Sequence, residues 1–86
     1  MTLSGDALLI AMRLPRILHG GEGHCITDLC LSEFGSMRMG HVERTRAAIE
    51  AIRAAYPLAL IEEPCSGGRR YGIHWSAWPA WLRDME

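Results

Sequence analysis

Apolar residues return every three or four positions between His41 and Tyr56. Val42, Thr45, Ile49, Ile52 and Tyr56 follow one another at intervals of 3, 4, 3 and 4, the spacing that lines one face of an α-helix. Alanines fill much of the remainder and Pro57 stops the pattern. A shorter helix is expected before it, where Leu29, Cys30, Glu33 and Phe34 share a face, Thr27 serves as N-cap and Gly35 as the C-terminal stop. The stretch 4–14 predicts another helix, apolar almost all round and capped by Ser4 or Asp6. Pro15 either ends it or opens a second short turn through Leu18. Three glycines among residues 20–23 stop any helix there, and residues 24–26 read as a short strand.

After Pro57 the period changes. Residues 58–63 and 69–75 form two extended arms around a turn containing Ser66-Gly67-Gly68, the pattern of a β-hairpin. In the second arm Tyr71, Ile73 and Trp75 fall on one face, predicted inward, and Arg70, Gly72 and His74 on the other. The tail from Ser76 to Glu86 predicts a last helical turn with Pro79 at its first position.

Composition narrows the class. With 86 residues, 49% of them apolar, the chain is expected to make one globular domain, 1–86, with a small core. No apolar run is long enough to cross a bilayer, and the first residues carry no basic leader segment, so no membrane role and a cytoplasmic location are expected. Three cysteines are an odd number, read as reduced thiols. All nine basic residues are arginine. The net charge of −1 hides an asymmetry: residues 36–74 carry six arginines against four glutamates, whereas 1–35 carry two arginines against four acids. The basic charge lies with the long helix and the hairpin, diluted relative to most nucleic-acid binders.

The order helix, stop, short strand, helix, turn, long helix, hairpin resembles a winged helix-turn-helix. Residues 27–73 resemble the DNA-binding half of OmpR-type response regulators and related small winged-helix regulators. Leu29 to Gly35 are similar to that family's first motif helix, His41 to Arg53 to its recognition helix, and Ile61-Glu62 through Gly68-Arg69-Arg70-Tyr71-Gly72-Ile73 to its wing. The Gly-x-Gly-Tyr order usual at that wing is not kept, and the receiver domain of the full regulators is absent. The resemblance implies an α+β fold of three helices plus a C-terminal wing hairpin. First helix and glycine stop occupy 1–23, the helix-turn-helix 24–57, the wing 58–75 and a Trp-rich tail 76–86. It implies a non-enzymatic DNA-binding transcriptional regulator, a homodimer on double-stranded DNA. Its candidate readers are Arg38, His41 and Arg44 at the front of the long helix, and Arg69 and Arg70 on the wing. Arginine forms bidentate bonds to guanine and phosphate.

The outward face of the long helix leaves an alternative open. It carries Glu43, Ala47, Glu50, Ala51 and Ala54 with Arg44 at its edge, and two glutamates there repel phosphates. Thr45 belongs to the buried set. Arg46 and Arg53 fall about 20–40° from Val42, at the edge of the buried face, where they cover core or pair with acids. Either the helix N-terminus alone meets DNA, or the alanine face packs on a protein partner, as in a small phage or mobile-element protein docking on a host complex. Trp78, Trp81 and Leu82 are the candidate interface residues, beside Met85. No metal or cofactor is expected: Cys25 and Cys30 stand alone at a spacing that is not a zinc motif. Glu62 and Glu63, adjacent on a strand, face opposite sides and make no acid–base pair.

Overall fold

The computed structural model describes residue 3 and residues 5–18 and 22–77. Three helices and a four-stranded sheet give the α+β class. Helix α1 spans Gly5–Arg13 and ends just before Pro15, which removes a backbone donor from any further turn. Instead of a second helical turn the chain extends as β1, Arg16–Ile17. Strand β2, His24–Cys25, runs directly into α2, Ile26–Phe34. The helix begins earlier than Thr27. Cys25 is its N-cap, without a side-chain cap bond to the backbone, and its thiol donates to Asp28 Oδ2 at 3.3 Å. Gly35 closes α2 with φ 70°, a left-handed conformation that glycine takes without a Cβ penalty.

Helix α3, Met39–Ala55, carries the predicted buried face. Thr45, Ala48, Ile49 and Ile52 are buried, while Val42 and Tyr56 at its ends are half-buried. Those residues close on Ile10, Ala11 and Leu14 from α1 and the end that follows it, Leu29 from α2, and Leu60, Tyr71 and Ile73 from the sheet. Thr45 keeps its hydroxyl satisfied in the core by donating to the carbonyl of His41, 2.9 Å away on its own helix.

Strands β3, Leu60–Cys65, and β4, Gly68–His74, make the hairpin. Cys65 pairs with Gly68, leaving Ser66-Gly67 as a two-residue turn in which Gly67 takes φ 87°. β4 is the central strand. Tyr71 pairs with Glu62 on one edge and His24 on the other, and Ile73 likewise with Leu60 and Arg16. β1, parallel, and β2, antiparallel, therefore share the edge opposite β3. The alternation predicted for β4 holds for Tyr71 and Ile73, which face the helices. It fails at Trp75, which is 50% exposed. β4 ends at His74 and a 3-10 turn, Trp75–Ala77, takes the ring out of the strand's alternation. The Arg16 guanidinium lies over it, 4.9 Å from the ring centroid.

Candidate nucleic-acid interface

The long helix and the hairpin stand side by side, tied by one arginine. Arg53 on α3 donates from Nε and Nη2 to the two carboxylate oxygens of Glu62 on β3, at 2.8 and 2.7 Å, and from Nη1 to Glu50 at 2.5 Å. The paired donors hold the Glu62 carboxyl below its ordinary range and raise Arg53. This is the pairing that the wheel position of Arg53 predicts. It also limits what Glu62 offers to the neighbouring strand, since Arg69 reaches the same carboxylate at only 3.5 Å.

The candidate readers at the front of α3 are largely engaged within the fold. Arg44 makes a bidentate pair with Asp6 of α1, Nε at 2.8 Å and Nη2 at 2.7 Å, and its guanidinium lies 4.6 Å from the Phe34 ring centroid. That hydrogen bonding lowers Asp6 and raises Arg44. His41 stacks on the same Phe34 ring at 4.8 Å and 10°, and its Nδ1 lies 2.5 Å from Ser36 Oγ. Both side chains help join α3 to its neighbours. Arg38, the N-cap of α3, is exposed. Its side chain has no hydrogen bond or ion pair among the described residues.

Arg46 of α3 and Arg69 of the hairpin border a cleft of about 670 Å³ between α3, the first turn of α2 and the hairpin. Val42, Arg46, Ile49, Glu50 and Arg53 line it from α3, residues 25–27 from the α2 side, and residues 65–71 from the hairpin. Four of its side chains are arginine and one, Glu50, is a carboxylate. Arg46 is exposed and has no hydrogen bond or ion pair among the described residues. Arg70 donates to the Gly23 carbonyl at a long 3.4 Å. Its cross-strand neighbour is Glu63, with which it makes no ion pair.

Sequence reasoning passed over Arg46, because the wheel places it beside the core. The hairpin, approaching from that side, turns the edge of the buried face into a cleft wall. Reasoning also passed over Met37 and Met39, exposed beside Val42, Glu43 and Arg46 at the front of the helix. The outward face is as read: Glu43, Ala47, Glu50, Ala51 and Ala54 are all exposed. Trp78, Trp81 and Leu82 lie outside the described residues. Among the described residues no cluster of three metal-ligating side chains exists, and no helix is long and apolar enough to cross a membrane. Compared with known proteins, the chain matches no family model, no curated protein and no solved structure.

Proposed function

We propose that the protein is a winged helix-turn-helix regulator that binds double-stranded DNA, with α2 and α3 as the helix-turn-helix and the β3–β4 hairpin as the wing. The element order supports it, as does the pairing of β2 with β4 on the edge away from β3. The observation that carries it is the meeting of Arg46 from α3 with Arg69 from the hairpin at one cleft, with Arg70 on the other face of β4. Arg46 and Arg70 have no carboxylate partner among the described residues, and Arg69 shares Glu62, at 3.5 Å, with Arg53. Arg38 at the start of α3 extends that basic edge. Arg44 plays no direct part, since Asp6 and Phe34 already use its donors and its ring-facing surface.

Salt-dependent duplex binding tests this. Affinity should fall as salt rises, and Arg69→Ala with Arg70→Ala should weaken binding and flatten the slope by about one to two released counterions. Arg44→Gln should leave the slope unchanged. Absence of binding to any duplex at low salt would overturn the reading.

A second reading rests on Met37 and Met39. Flexible thioethers exposed together beside Val42 make an adaptable apolar surface at the end of α3, suited to a protein partner. A stoichiometric protein partner that protects residues 37–46, with no duplex binding, would establish it instead.

A further inference from the structure

We propose that the cleft between α3 and the hairpin is a seat for a phosphate group, held by Arg46 and Arg69. Among its four arginines, Arg53 is already saturated by Glu62 and Glu50. Two others have donors to spare: Arg46 has no partner among the described residues, and the contact of Arg69, at 3.5 Å, is at the limit of hydrogen bonding. Arg70 points to the other face of β4 and bonds the Gly23 carbonyl. A tetrahedral phosphate group offers what planar guanidinium donors lack here, several acceptor oxygens at one point. Arg53 serves the seat indirectly. By taking both oxygens of Glu62 it leaves Arg69 only a long contact, 3.5 Å, to that carboxylate.

The walls suit an anion as well. The first turn of α2, at Ile26 and Thr27, comes to the cleft edge with the backbone N–H groups that a helix leaves unpaired at its start. The hairpin turn closes the opposite side with Gly67 and Gly68, whose missing side chains leave their backbone approachable. The cleft is an open groove with a wall on either side, which a single phosphate group can enter from solvent. The inference deepens the DNA-binding reading and rests on it for a phosphodiester as occupant. A phosphorylated small molecule carries the same group and would compete for the same seat.

Amide NMR of the full chain, titrated at low salt with inorganic pyrophosphate and separately with a short duplex, tests the seat. Pyrophosphate should shift the amides of residues 26–27, 46 and 66–71 and saturate. Arg46→Gln should weaken it about tenfold, the loss expected for one charge-assisted contact. Arg46 is exposed and without a partner among the described residues, so this variant keeps its fold; Arg69→Gln is a second probe, and Arg13→Gln, remote from the cleft, should change nothing. Duplex shifting the same amides, with pyrophosphate displacing it, supports seat and DNA reading together. Duplex binding without any pyrophosphate response in the cleft overturns the seat and leaves the DNA reading standing. Pyrophosphate in the cleft with no duplex binding keeps the seat, assigns it to a small molecule and removes the DNA reading. Silence in both titrations overturns both.

Discussion

No side chain can replace the hydrogen at Gly72 without something moving. A Cβ there would collide with the Cδ1 of Ile17, and would lie 2.7 Å from its Cγ1 and 3.2 Å from the Pro15 carbonyl oxygen. Ile17 is itself buried, so its end has little room to swing aside. Gly72→Ala should therefore lower the unfolding free energy by about 1–3 kcal/mol in urea melts, the usual cost of overpacking. Combining it with Ile17→Ala should cost less than the two single changes added together, because the shorter side chain makes room. Full additivity would mean that the two residues do not meet. In the sequence Gly72 shows only as an outward position on an alternating strand. Its reason lies at Ile17, 55 positions earlier, and β1 is two residues long, too short for a pattern. The same distance effect hid the state of Arg44, whose partner Asp6 is 38 positions away. Arg53 was readable because one acid that pairs with it is three positions before it on the same helix and the other lies on the next strand.

The long helix was legible because its buried face is continuous, and a 3.6-residue period needs no tertiary knowledge to be seen. Thr45 is its informative position. The hydroxyl is buried, yet it bonds only to a carbonyl one turn back on its own helix. Removing it leaves no other group without a partner. Thr45→Val keeps the shape and should hold stability within about 1 kcal/mol of the parent, read by chemical denaturation. A loss well beyond that would mean that the hydroxyl has a structural role outside α3. The hairpin was legible in its turn glycines and in Tyr71 and Ile73. The fate of Trp75 was not, because alternation assumes that the strand continues, and β4 stops one residue earlier.

Across the molecule, carboxylates hold elements together: Glu33 pairs with Arg13 between α2 and α1, and two others have a depressed pKa. Asp6 joins α1 to α3, and Glu62 joins α3 to β3. Arginine hydrogen bonds depress both in the folded protein below their ordinary values of 3.8 and 4.5. A depressed carboxyl contributes stability that is fully present above the unfolded value and is lost as pH falls through the folded one. The melting temperature should accordingly decline below about pH 4.5, where the unfolded chain takes up protons first. An Asp6→Asn, Glu62→Gln double variant should melt lower than the parent at pH 7 and show a shallower acid decline. Parallel curves for the two proteins would mean that these pairs do not hold the helices and hairpin together. The candidate interface was half legible at this scale. The basic bias of residues 36–74 pointed to the elements that border the arginine-lined cleft. Which arginines stay available depended on how α1 and β3 use the others.

The central place of β4 also has a consequence in time. Every other strand of the sheet pairs with it, and it comes after all three helices in the chain. Strand β1 waits for a partner 57 positions away, Arg16 for Ile73. A chain emerging from the ribosome can pack α1, α2 and α3 against one another while β1 and β2 still have no strand to join. Sheet formation is then a single late event, delayed until residue 74 is free, and it closes the longest loops of the fold last.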